Sequence, residues 1–190
     1  MKLAVFGGTF NPVHCGHLIL ADKILHHFNY DKILFVPAAC SPFKTDQILP
    51  SDGQRLKMLR LAIKGNSSFE IEDWELKQGG ISYTIDTINY LENKYKNCLD
   101  EKLGLILGDD HVEKFHLWKD AENLAEKTRI ILASRLADAS HFPFEHITVN
   151  NEKIPISSTE IRNCIKKGTS WQYFVPEKVA SFIKKMGLYE

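Results

Sequence analysis

The sequence predicts a single α/β domain with a mostly parallel sheet flanked by helices, and three observations carry that prediction. Short apolar runs alternate with stretches of helical periodicity from the first residues onward. The runs are apolar at consecutive positions, as strands covered on both faces are. A glycine pair stands between the first such run and the first helical stretch, the usual place for a ligand loop in an α/β chain. The chain of 190 residues, 44% hydrophobic and 25% charged, suits one unit spanning residues 1–190, with no linker, repeat or low-complexity segment inside it.

Leu3 to Phe6 reads as the first strand and Ile33 to Val36 as the second, with Leu18, Ala21, Leu25 and Phe28 recurring at helical spacing between them. Ser51 and Gln54 form a capping box that opens a second helix with Leu56, Leu59 and Ile63 on one face. A strand follows at Phe69 to Ile71, then a third helix marked by Ile81, Ile85, Ile88, Leu91 and Tyr95. Leu103 to Leu107, Arg129 to Ala133 and Ile147 to Val149 read as further strands. A capped helix begins at Ser157, and a last one carries Pro176 in its first turn with Val179, Phe182, Ile183 and Met186 inward. Segments 37–50 and 136–146 are the long irregular connections.

Charge and composition exclude several classes of function. Twenty-four basic residues balance twenty-four acidic ones, so no global field draws the protein to nucleic acid or to an anionic membrane, and phosphate binding must be built locally. No signal-peptide pattern and no apolar run of ~20 residues is present, so a cytoplasmic location is expected. Cys15, Cys40, Cys98 and Cys164 contain no Cys-x-x-Cys pair and read as packing residues. Asp109, Asp110, His111, Glu113 and His116 match no zinc spacing, so no protein-held metal is expected; His111, Glu113 and His116 read as a solvated helix face.

Gly7-Gly8-Thr9-Phe10-Asn11-Pro12-Val13-His14-Cys15-Gly16-His17 is the most informative stretch. Adjacent glycines let the backbone approach a phosphate, and the following helix offers unpaired N–H groups and the positive end of its dipole. His14 and His17, three apart, can aim two imidazole donors at one phosphate, and Gly16 leaves room for a nucleotide. Neither G-x-G-x-x-G nor G-x-x-x-x-G-K-[ST] occurs. Near the other end, Ser157 and Glu160 form a capping box. By itself that is a helix start, yet Ser157, Ser158, Thr159 and Arg162 also compose a pocket for a triphosphate tail.

The first stretch resembles the (H/T)-x-G-H signature of the nucleotidylyltransferase superfamily, and its longer form is similar to the nicotinate-mononucleotide adenylyltransferase family, with Asn11 standing where that family has Asp. Ile156 to Arg162 is similar to the family's I-S-(S/A)-T-x-I-R motif. Ser82-Tyr83-Thr84 resembles its S-Y-T, Gly108-Asp109-Asp110 its G-x-D, Trp118 its stacking aromatic and Ser134-Arg135 its Ser-Arg. In the loop after the second strand Lys44 matches the family pattern and Phe43 replaces its histidine.

The resemblance implies a Rossmann-like domain that joins ATP and nicotinate mononucleotide into deamido-NAD and pyrophosphate, with Mg²⁺ arriving on ATP. It implies catalytic roles for His14, His17 and Arg162. Gly7, Gly8, Thr9, Phe10, Gly16, Gly108, Arg135, Ser157, Ser158 and Thr159 would bind ATP; Lys44, Tyr83, Thr84, Asp110 and Trp118 would bind the mononucleotide. A phosphate nucleophile is already ionised, so neither a general base nor a covalent intermediate is needed. Pantetheine-phosphate adenylyltransferase, sharing His14, His17 and the serine-threonine helix, and a non-catalytic nucleotide sensor are the alternatives. Acid-versus-amide preference and homo-oligomer formation stay open.

Overall fold

The computed structural model describes residues 1–40, 42, 50–134, 142–150 and 156–190. Its sheet has six strands, β1 (Leu3–Gly8), β2 (Lys32–Pro37), β3 (Phe69–Ile71), β4 (Gly104–Gly108), β5 (Arg129–Ser134) and β6 (His146–Asn150), in the order β3-β2-β1-β4-β5-β6. Every neighbouring pair is parallel. The expected strands are all present, and the order reverses between β1 and β4. In such open sheets ligands bind in the crevice beyond the carboxyl ends of the strands at that reversal.

The alternation of side chains along each strand divides the core in two. Ala4, Phe6, Ile33, Phe35, Ile106 and Ile131 face one layer, packed with residues of α1 (Cys15–His27), α2 (Asp52–Ile63), α7 (Ser158–Lys166) and α8 (Glu177–Met186). Leu3, Val5, Leu34, Val36, Leu105 and Leu107 face the other, packed with α4 (Thr84–Tyr95) and α6 (Ala121–Lys127). Two short helices complete the chain, α3 (Trp74–Gln78) and α5 (Asp109–Val112). Among the described residues no helix is long and apolar enough to cross a membrane.

Several sequence expectations need correction. Gly7 and Gly8 are the last residues of β1, paired with Val36 and Pro37, and the left-handed turn falls instead at Phe10, whose φ is 47°. Ile81 precedes α4 rather than belonging to it and is 51% exposed. On α2 the inward face is Arg55, Met58 and Leu59, with Leu56 and Ile63 only half-buried. Met186 ends α8 exposed, while Leu188, just past the helix, takes the core position instead. α3, α5 and α6 were not legible because elements of five, four and seven residues show too little period to stand out.

One position in the sheet tolerates no side chain. A Cβ on Gly104 would lie 2.5 Å from the hydroxyl oxygen of Tyr30 and 3.0 Å from the Cβ of Ala4 on the neighbouring strand. Tyr30 is itself buried, and its hydroxyl has no hydrogen-bond partner, so burial pushes it up to about 12.

Candidate active site

The loop from Thr9 to Val13 leaves β1 and is held by its carbonyls. Arg55, fully buried on α2, donates from Nη1 to the Thr9 carbonyl at 2.9 Å and from Nη2 to Asp52 at 2.5 Å. Arg162 on α7 donates from Nη1 to the Asn11 carbonyl at 2.7 Å, and the Ser158 hydroxyl donates to the Pro12 carbonyl at 2.9 Å. These last two bonds join segments about 150 residues apart in sequence, and they bring the two phosphate motifs into one place. Buried carbonyls need such donors, and here side chains from two different helices supply them.

Asn11 contributes its backbone rather than its side chain: the residue is buried, its amide atoms have no hydrogen-bond partner, and its peptide bond to Pro12 is cis. An aspartate in the same place would set an unpaired carboxylate in the interior, which burial penalises more heavily than a neutral amide.

His14 caps α1, and its ring lies stacked on that of His17 with centroids 3.6 Å apart. The backbone N–H of His14 donates to Nδ1 of His17 at 3.2 Å. Because Nδ1 is thereby the acceptor, a proton that His17 offers to a phosphate sits on Nε2. Phe6 and Phe10 meet the His17 ring edge-on at 5.8 and 5.2 Å and fix its plane. Phe10 is 2% exposed, so its ring serves His17 and only its backbone is left for a nucleotide. A Cβ on Gly16 would come within 3.1 Å of Nδ1 of His14, so the glycine is required first by the histidine ring.

Ser157 is the N-cap of α7, its hydroxyl accepting from the N–H of Glu160 at 3.1 Å, so the remaining N–H groups of the first turn open beside the loop. Alanine at 157 is expected to lower stability by about 1 kcal/mol. The check is a shifted denaturant midpoint with an unchanged slope. Arg162 also donates to Thr159 at 3.1 Å. Burial lowers its proton affinity from the usual arginine range, and a guanidinium has five N–H donors, more than these two bonds use. The Tyr189 hydroxyl, raised by burial, lies near both Arg55 and Arg162.

A cavity of about 210 Å³ opens at the carboxyl ends of β1 and β4. It is lined by Gly7, Gly8 and Thr9 together with Tyr83, Thr84, His111, Trp118 and Lys119. Gly7 has nothing within 4 Å of a built Cβ, so the backbone there is open. Thr84 is the first residue of α4, where N–H groups lack intrahelical partners. Trp118 is half-buried, with His111 edge-on to its ring at 5.4 Å.

The predicted residues therefore fall into two joined groups. Gly7, Gly8, Thr9, Tyr83, Thr84 and Trp118 line the cavity, while His14, Gly16, His17, Ser158 and Arg162 gather around the loop and the start of α7. Gly108 ends β4 and precedes α5, on which Asp110 stands. Lys44 and Arg135 lie outside the described residues, and so do the side chains of Asp110 and Ser134. His111 is not on a solvated face as expected but lines the cavity. Glu113 and His116 are exposed, as that reading required.

Arg55 and Glu75 are the residues that sequence reasoning missed. The signal for Arg55 was an arginine on the same helical face as Met58 and Leu59. Glu75 lines the cavity and is 8% exposed on a helix too short to be recognised. Cys15 is half-buried and its thiol is pushed up by burial, which opposes thiolate chemistry. Among the described residues no three His, Cys, Asp or Glu side chains come together as a metal site.

Comparison with known proteins agrees with this geometry. The cytidylyltransferase-like family model matches residues 5–164. A Treponema pallidum protein named "Probable nicotinate-nucleotide adenylyltransferase" is 39% identical over 202 residues, covering 100% of this chain and 99% of the relative. A Borreliella afzelii protein of the same name is 42% identical over 193 residues, covering 100% and 97%. The structure of Plasmodium falciparum nicotinic acid mononucleotide adenylyltransferase complexed with NaAD matches with a TM-score of 0.83 at 22% identity, covering 99% of this chain and 97% of that one.

Proposed function

This chain belongs to the nicotinate-nucleotide adenylyltransferase family, within the cytidylyltransferase-like proteins, and on that premise we propose that it transfers the adenylyl group of ATP to nicotinate mononucleotide, giving deamido-NAD and pyrophosphate in NAD biosynthesis. One observation carries the reading beyond the names. A single cavity runs from the open glycine backbone to an aromatic ring and a helix start, the surfaces that a phosphate and a flat anionic pyridine require.

In the reaction a phosphate oxygen of the mononucleotide forms a bond to the α-phosphorus of ATP while the bond from that phosphorus to the bridging oxygen breaks. Pyrophosphate leaves with the electron pair. The nucleophile is an anion already, so the protein aligns and neutralises. Gly7 to Thr9 bring backbone close to the α-phosphate, and Nε2 of His17 donates to the oxygen on which charge grows. The first turn of α7, with Arg162, receives the leaving phosphates. Thr84 holds the nicotinate carboxylate and Trp118 stacks on the ring. Mg²⁺ enters as part of the substrate MgATP, where it would neutralise phosphate charge. A cytoplasmic location belongs to the same proposal; among the described residues no helix is long and apolar enough to cross a membrane.

The test is pyrophosphate release from MgATP with nicotinate mononucleotide, nicotinamide mononucleotide and phosphopantetheine supplied in parallel. Turnover favouring the nicotinate compound is expected. Turnover only with phosphopantetheine would reject the pyridine assignment of Thr84 and Trp118. Binding of ATP without turnover of any acceptor would make the chain a sensor.

A further inference from the structure

Glu75 is the one carboxylate on the cavity wall whose side chain the structure describes, and it is almost wholly buried. A carboxylate taken out of water needs compensating donors, and those found here are hydroxyls. The Thr87 hydroxyl, one turn into α4, donates to it at 2.5 Å, and Ser82, just before α4, supplies a second side-chain hydrogen bond. Ser82 is in turn fixed from the other side. Its Oγ accepts from the N–H of Ala39 at 3.0 Å, and its own N–H donates to the Cys40 carbonyl at 2.8 Å. Thr84 stands between the two residues that Glu75 grips. The carboxylate thus clamps the start of α4 from both flanks and ties it to the segment leaving β2.

We propose that Glu75 is a positioning residue for the acceptor end of the site: through Ser82 and Thr87 it sets where Thr84 presents its N–H and hydroxyl to the acceptor's carboxylate. The inference rests on the reading that Thr84 meets the acceptor. On the proposed reading ATP is held by the glycine backbone and the first turn of α7, whereas the hydrogen bonds of Glu75 run to Thr87 and Ser82, so its effect is expected on one substrate. Shape alone does not explain the residue, because a glutamine fills the same volume while offering the two hydroxyls one uncharged acceptor oxygen in place of two that share a negative charge.

The experiment compares Glu75→Gln, Thr87→Val, Ser82→Ala and the Glu75→Gln/Thr87→Val double variant, each first checked for a cooperative melt. KM is measured separately for ATP and for whichever acceptor the unsubstituted protein turns over. Glu75→Gln is expected to raise the acceptor KM about tenfold, the scale of one charge-assisted hydrogen bond, with the ATP KM unchanged. Thr87→Val and Ser82→Ala should move the same constant in the same direction, and the double variant should be no worse than Glu75→Gln alone, because both changes break one network. Equal changes in both KM values, no change in either, or additive effects would overturn the proposal. If Glu75→Gln fails to fold, the KM split in Thr87→Val and Ser82→Ala decides. Should the unsubstituted protein turn over no acceptor, the proposed function fails in that control, and the same comparison is made on the dissociation constant of nicotinate mononucleotide by calorimetry.

Discussion

Replacing His17 by alanine lowers kcat by about 100- to 1,000-fold and leaves the KM for ATP nearly unchanged, the loss found when one preorganised donor to a developing oxyanion is removed. The expectation follows from how the ring is held. Nδ1 is occupied by the N–H of His14 at 3.2 Å, two phenylalanine edges fix the plane, and Nε2 is what the ring has to give. A donor fixed before the reaction begins gains most where charge is largest, which is in the transition state rather than in bound ATP. Steady-state pyrophosphate release at varied ATP concentration separates the two. Glutamine at 17 places an amide nitrogen near the position of Nε2 and should recover part of the rate. An equal fall in kcat and in ATP affinity would assign His17 to ground-state binding instead.

Alanine at Gly104 should cost about 1–3 kcal/mol, as other overpacked core positions do, without lowering the kcat of the folded protein. Its Cβ would lie 2.5 Å from the Tyr30 hydroxyl, 2.8 Å from that ring and 3.0 Å from Ala4, and none of these is the free end of a flexible chain. At the size of this domain each kcal/mol lowers Tm by roughly 2–4 °C. Gly104 does not line the cavity, and the clash of its Cβ falls on Tyr30 and Ala4, which do not line it either, so stability and catalysis should part company here. Adding Tyr30→Phe removes the nearest atom together with an unpartnered buried hydroxyl, and the double variant should regain part of the loss. A melt of Gly104→Ala that matches the parent would show that β1 and β4 can separate slightly at no cost.

The strands were legible because they are continuous apolar runs, and the starts of α2 and α7 because Ser51 and Ser157 cap them, although of these two only α2 forms the full capping box and α7 keeps just the Ser157 half. The phosphate loop was legible in composition but not in conformation. Nothing local says that Gly7 and Gly8 finish a strand while Phe10 makes the left-handed turn, since that choice depends on pairing with β2 and on the ring packing beneath His17. Arg162 was visible as a charge near phosphates; that it also holds the Asn11 carbonyl depends on a contact across 151 positions. Glu75 and Arg55 escaped notice for one reason. Each is a charged residue whose burial is decided by partners on other elements, and a charge reads as surface until those partners are placed.

The Thr9, Asn11 and Pro12 carbonyls find their donors in residues 55, 162 and 158. The loop is therefore the earliest part of the site to be synthesised, and its bracing, begun by Arg55, is completed only by α7. The Asn11 and Pro12 carbonyls wait for partners about 150 residues later in the chain, so a ligand that needs both the loop and α7 selects molecules in which the two have met. Because that ligand favours only the docked form, its concentration sets how strongly α7 stays docked on the N-terminal loop.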